Sequence, residues 1–246
     1  MSKKVASLEA EYLAQNRFAL SSILDVPVEE KLILILCGIP GSGKSTLANR
    51  ITNEIIKFKA VCQDVLGRRE IVFSSAQSIL DDGDSVIIDR CNFNTIQRSH
   101  WLKLSKLNNN VRVICLVMPD YLNVDVCSAR AFNRKDEFHG ENEDWEKICK
   151  MMKSDFQFPT FDEGISLIFE CKNSSDVDEF VSALAARGNL GDEDSKAAYR
   201  ERWARIYMDR DTKKATSKKI VSANPFAAAF GEDSDEDSDG DTDASK

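Results

Sequence analysis

Residues 31–51, "KLILILCGIPGSGKSTLANRI", constrain this chain more than any other stretch. After its first lysine the run "KLILILC" is apolar without alternation. A strand of that kind is buried on both faces, as in a parallel sheet covered by helices. Gly38, Ile39, Pro40, Gly41, Ser42, Gly43, Lys44, Ser45 and Thr46 follow and fit the pattern G-x-x-x-x-G-K-S/T. "STLANRITNEIIKF" then continues with helical spacing. A glycine-rich turn between a buried strand and a helix wraps backbone N–H groups around phosphates at the helix N-terminus. Lys44 reaches the β- and γ-phosphates, and the Ser45 hydroxyl is placed to ligate Mg²⁺. The competing reading is a chance glycine-rich turn, and the two correct flanks argue against it. The stretch implies a nucleoside triphosphate, ATP, with Mg²⁺.

Beyond the loop, further strands are expected at "AVCQ" (60–63), "SVIID" (85–89), "VRVICLVM" (111–118) and "GISLIFEC" (164–171), with helical segments between them. That alternation predicts right-handed βαβ units and a P-loop NTPase-type α/β fold, one parallel sheet sandwiched by helices. Residues 1–30 form an N-terminal helical extension, with an amphipathic helix over 5–24 that ends before Pro27. The P-loop domain spans 31–187. Residues 188–222 read as a charged C-terminal helix, and 223–246 as an acidic tail too poor in apolar residues to fold.

The net charge of −8 divides unevenly. Eight acids and one lysine in residues 225–246 give −7, which leaves −1 for residues 1–224. A near-neutral body does not by itself point to nucleic acid. The seven cysteines form no C-x-x-C pair, and only His100 and His139 are histidines, which argues against a structural zinc site. Cys37, Cys62, Cys115 and Cys171 lie in or beside apolar runs, where a free thiol packs as a small hydrophobe. A reducing compartment, nuclear and/or cytoplasmic, is expected, with no membrane association: no run is long and apolar enough to span one.

Ligands of open parallel sheets gather at the carboxyl ends of the strands. Asp64 is expected to end the second strand and Asp89 ends "SVIID", so both should converge on the loop. Asp89 reads as a carboxylate for Mg²⁺ or its water shell, or as a group that orients an acceptor. Asp64 is better explained as a base, since phosphoryl transfer to an alcohol needs a carboxylate to take the hydroxyl proton. Helix capping is the plain alternative for each.

"GIPGSGKST", "CQDVLGRR", "VIIDRCNFNTIQRSHW", "ARAFNR" and "FQFPTFDEGISLIFE" together resemble, in order, the kinase domain of polynucleotide kinase/phosphatases and bacteriophage polynucleotide kinase. The likeness spans residues 32–170. The "IDRCN…QR" wording is also similar to the kinase-like domain joined to aprataxin in some plant proteins. The resemblance implies a kinase acting on the 5′-hydroxyl end of DNA or RNA. It implies Asp64 as general base, Asp89 as the aspartate of I-D-x-x-N with Asn92 as its asparagine, and Arg130 and Arg134 as lid arginines. The family carries Asn-Arg-Asp where this chain has Cys62, Gln63 and Asp64, so Arg68, Arg69 or Arg90 must replace the missing arginine or the substrate differs. A kinase domain without its phosphatase partner is expected.

Arg130 and Arg134 stand four apart on a helix leading into the polar stretch "KDEFHGENED", which suits a lid closing over a transferring phosphate. Arg98, Lys103 and Lys106 form either a basic track for a polynucleotide or a solvated face. Trp101, Trp145, Phe156 and Phe158 are expected in the core ahead of base stacking. Ser234 and Ser238 have acids three residues downstream, so the tail is either a phosphorylated docking epitope for a protein partner or a solubilising segment. The smaller alternatives to a polynucleotide kinase are a kinase of a small alcohol or nucleotide metabolite and an ATP-binding adaptor.

Overall fold

The computed structural model describes residues 16, 19–134 and 144–187. The expected helix over 5–24 falls partly within them, as helical residues 19–25 (α1); the helix over 188–222, the acidic tail and most of the polar interruption after Arg134 lie outside the described residues.

Five parallel strands form one sheet: β1 (Lys31–Cys37), β2 (Phe58–Cys62), β3 (Ser85–Asp89), β4 (Val111–Val117) and β5 (Leu167–Glu170). Their spatial order is β2-β3-β1-β4-β5, with the P-loop strand in the centre. Helices α2 (Lys44–Glu54), α3 (Gln63–Leu66), α4 (Arg69–Asp81), α5 (Thr95–Leu107), α6 (Val124–Phe132), α7 (Trp145–Ser154) and α8 (Ser174–Ala186) connect or follow them.

The unalternating apolar run of β1 has a direct structural outcome. Leu32, Leu34 and Leu36 pack on one face with α1, α2 and α8, while Ile33, Ile35 and Cys37 pack on the other with α4 and α5. Both faces are covered, which is why no polar residue interrupts the strand. A third, small cluster of Ile39, Val124, Cys127 and Cys149 ties α6 and α7 to the P-loop itself.

Strand β5 is shorter than the expected 164–171 and β4 ends one residue early, and three further differences bear on the site. Strand β2 starts at Phe58 rather than Ala60, and its ladder with β3 ends at the pair Cys62 and Asp89. Gln63 therefore opens α3, and Asp64 sits in the first turn of that short helix instead of ending the strand. Gly67, at φ 74, closes α3. Arg134 lies just past the end of α6, not on it. Among the described residues no helix is long and apolar enough to cross a membrane.

Candidate active site

The P-loop leaves β1 and enters α2 through Gly43, the N-cap, at φ 97 with no side-chain cap. The N–H groups of the first helical turn stay open to an anion at that end. Gly41, at φ 79, is constrained from outside as well: a Cβ there would lie 2.0 Å from the Cys127 carbonyl oxygen of α6. Helix α6 and the loop thus touch through backbone. Lys44 is only 8% exposed, and its Nζ donates to the carbonyl oxygens of Gly38 and Ile39, at 2.9 Å each.

The carboxylates come next. Asp89, at the end of β3, is 7% exposed. Burial raises its carboxyl above the ordinary aspartate value; the Ser45 hydroxyl donates to it and, with the charge of Lys44, opposes that rise, while Asp64 adds to it and Arg134 opposes it. Asp64 itself is exposed on α3. A cleft of about 770 Å³ opens over these groups and is lined by Lys44, Ser45, Asp64, Asp89, Arg130 and Arg134. That size suits a nucleotide-sized ligand. Pro40, Gly41, Gly43, Thr46 and Arg90 also face it.

Arg130 pairs with Asp120 at 3.2 Å from the last turn of α6. Arg90 is half-buried, and burial, with the neighbouring charge of Arg69, lowers its pKa. Gly38, Ile39 and Ser42 are buried in the loop and do not line the cleft. Arg68 and Arg69 are exposed at the start of α4, outside the lining. Arg69 Nη1 lies 3.2 Å from His100 Nε2, and the imidazole pKa is lowered by burial and by the charges of Arg69, Lys103 and Arg90.

Two residues singled out in the sequence, Arg98 and Asn92, are structural. Arg98 is wholly buried. Its Nε and Nη2 donate to the two oxygens of Glu163 at 2.8 Å each, and its Nη1 donates to the carbonyls of Asn92 at 3.1 Å and Gln157 at 2.8 Å. No donor face is left toward solvent, so the basic track through Lys103 and Lys106 does not include it. Asn92 is likewise buried, at φ 46: its amide donates to the Leu36 carbonyl at 2.9 Å and accepts from Trp101 Nε1 at 2.8 Å. It fixes the loop after β3 against the end of β1. The stretches "VIIDRCNFNTIQRSHW" and "FQFPTFDEGISLIFE" therefore meet in space through Asn92, Arg98 and Glu163. Trp101 is core as expected, whereas Trp145, at the start of α7, lines the cleft.

Sequence reasoning missed Gln63, Gln97 and Asn133, all of which face the cleft. Gln63 carried one signal, its place beside Asp64 where the resembling family has arginine. Gln97, on the first turn of α5, carried none.

No family model matches the chain. It is 30% identical to the bifunctional polynucleotide phosphatase/kinase of Schizosaccharomyces pombe over 146 residues, covering 58% of this chain and 34% of that protein. It is 29% identical over 193 residues to the protein named transcription factor bHLH140 of Arabidopsis thaliana, covering 74% of this chain and 20% of that protein. The chain thus spans about a third of the length of one of these curated relatives and a fifth of the other. The crystal structure of a fungal RNA kinase superposes with a TM-score of 0.53 at 15% identity, over 70% of this chain and 96% of that one. This chain carries a polynucleotide kinase-like P-loop domain. The five-stranded sheet of that domain, with β1 at its centre, puts the P-loop and the ends of β2 and β3 at one edge, where the cleft lies.

Proposed function

We propose that the chain transfers the γ-phosphate of ATP to a 5′-hydroxyl end of DNA or RNA. One observation supports this most: Asp64 lines the same cleft as Lys44, Ser45 and Asp89, on the side of Arg90. A nucleotide-binding loop alone needs no exposed carboxylate there, whereas transfer to an alcohol does. The name of the fission-yeast relative points the same way.

In this reading the N–H groups at the start of α2 and Lys44 hold the β- and γ-phosphates. The Ser45 hydroxyl and Asp89 carboxylate, already hydrogen-bonded to each other, are hard oxygen donors that fit Mg²⁺, which when bound neutralises charge on those phosphates. Asp64 accepts the proton of the acceptor hydroxyl as that hydroxyl's oxygen bonds to the γ-phosphorus. The bond to the β–γ bridging oxygen breaks and ADP leaves. Arg130 and Arg134 face the charge that spreads over the transferring group. Such a protein would serve nucleic-acid end processing or repair, in the nucleus and/or the cytoplasm.

A second reading, a kinase of a small alcohol, draws support from the net charge of only −1 over residues 1–224. Incubating the purified chain with γ-labelled ATP and Mg²⁺ against 5′-hydroxyl oligonucleotides, free nucleosides and a sugar acid separates the two. Label on oligonucleotides is the expected result. Label on the sugar acid alone would replace the first reading with the second.

A further inference from the structure

The cleft contains a group of polar atoms that the phosphate-binding loop does not use. Gln63 Oε1, Arg90 Nη1 and Gln97 Oε1 are buried, and none of the three has a hydrogen-bond partner among the described residues. All three side chains line the cleft. They come from separate segments: the first residue of α3, the residue after β3 and the first turn of α5. Asp64 follows Gln63 directly, and its charge bears on Arg90, so two of the three groups stand on the side of the cleft where the proposed base is, and Gln97 lines the same cleft.

Buried polar atoms are paired in the great majority of proteins, because leaving one unpaired sacrifices stability. The contrast within this chain is sharp in position. Gln97 leaves an amide oxygen unpaired, while the adjacent Arg98 is bonded on Nε, Nη1 and Nη2. Unpaired atoms that converge from three segments onto one cleft fit a ligand that completes them.

The chemistry of that ligand follows from the three groups. Arg90 Nη1 has no carboxylate bonded to it; the charges nearest to it are those of Asp64 and Arg69, with the His100 imidazole, kept neutral by burial and the surrounding cations, and Glu70 beside Arg69. It therefore favours a ligand that brings its own anion. Two amide edges suit neighbouring hydroxyl and base groups, which both donate and accept. A 5′-terminal nucleotide with a phosphate on its 3′ side offers both. We infer that Gln63, Arg90 and Gln97 are the acceptor-reading edge of the cleft, with Arg90 taking the phosphate 3′ of the attacked hydroxyl and the two amides taking the terminal sugar and base. The inference rests on the polynucleotide kinase reading and adds the residues that separate a phosphate-bearing acceptor from a phosphate-free one.

The test is steady-state transfer to a 5′-hydroxyl oligonucleotide, a nucleoside 3′-monophosphate and the free nucleoside, for wild type, Gln63→Met, Gln97→Met and Arg90→Gln, together with thermal melts. Each glutamine variant should raise the acceptor KM about 2- to 10-fold, the worth of one neutral hydrogen bond, with a smaller change in kcat and in the KM for ATP. Each should also melt at or above the wild-type temperature, because a buried unpaired atom has been removed. Arg90→Gln should raise the KM for phosphate-bearing acceptors about 10- to 100-fold and collapse the preference for them over the nucleoside. Unchanged acceptor KM values in all three variants would overturn the inference, as would glutamine variants that melt clearly lower. A wild type that prefers the free nucleoside would overturn the role of Arg90 while leaving the kinase reading in place. A wild type that labels none of the three acceptors would overturn the polynucleotide reading itself and the substrate class with it.

Discussion

Gln97 and Arg98 are neighbours on the first turn of α5, yet they belong to different parts of the molecule. Arg98 points into the protein, meets both oxygens of Glu163 and two backbone carbonyls, and is wholly buried. Gln97 points into the cleft with one amide oxygen unpaired. The first arrangement satisfies a buried charge completely; the second leaves a polar atom to be completed from outside. Polar burial therefore serves two ends here, joining β3, α5 and the segment around Glu163 in one case and facing a ligand in the other.

The comparison would break first at the buried pair. Removing one partner of a buried ion pair leaves the other uncompensated, at about 3–5 kcal/mol. Arg98→Ala should lower stability by roughly that amount in a denaturant melt. Glu163→Ala should behave alike, since the same carboxylate also accepts the Thr160 N–H at 2.9 Å. A loss under about 1 kcal/mol, the size of an ordinary surface change, would mean the network is not what joins these segments.

Gly41→Ala should come next. The new Cβ would meet the Cys127 carbonyl at 2.0 Å from a backbone at φ 79, so α6 must move away from the loop. Overpacking of this kind costs about 1–3 kcal/mol. ATP binding, read by calorimetry, should weaken together with stability. Retained affinity would show that the loop and α6 are not coupled by this contact.

Asp89 sharpens the comparison through pH. Its carboxyl is raised in the folded state, chiefly by burial, so the native protein holds this proton more tightly than the unfolded chain does. The destabilisation is absent below the ordinary carboxylate value, about pH 4, and develops as pH rises through the folded-state value. Asp89→Asn should therefore melt above wild type at neutral pH, with the difference vanishing toward about pH 4. A variant less stable at pH 7 would contradict the assignment of Asp89 as a strained site carboxylate.

The smallest effect is expected on the outer surface. Lys103 is exposed on α5, and its charge helps to hold down the His100 pKa. Lys103→Ala should change stability by no more than about 0.5 kcal/mol. The His100 pKa, followed by NMR, should rise toward the ordinary histidine value.

Much of the fold was legible in the sequence because its signals are local. The apolar run of β1, the glycine pattern after it and the strand "SVIID" each occupy one short window, and β3 matches the expected residues 85–89. The site was legible where a residue type announces its chemistry: Lys44, Ser45, Asp64 and Asp89 all meet in the cleft. Arg98 was misread because arginine is almost never fully buried, and its partners lie 59 and 65 residues downstream. The structural part of Asn92 was not legible for a related reason, since its bonds to Leu36 and Trp101 are tertiary. Gln63 and Gln97 carry neither charge nor spacing, and only the convergence of three segments brings them to notice. Asp64 was placed one element too early because the end of β2 is set by its pairing with β3, not by its own residues.

The central claim is that Asp64 takes the acceptor proton in a cleft that holds ATP on the P-loop. Asp64→Asn tests it most directly, assayed with a 5′-hydroxyl oligonucleotide and γ-labelled ATP alongside ATP calorimetry and a thermal melt. General base catalysis contributes about 10²- to 10⁴-fold, so transfer should fall by roughly that factor while ATP affinity and melting temperature stay near wild type. Transfer retained within a few-fold of wild type, or ATP binding lost with the substitution, would contradict the account and move the role of base to Asp89.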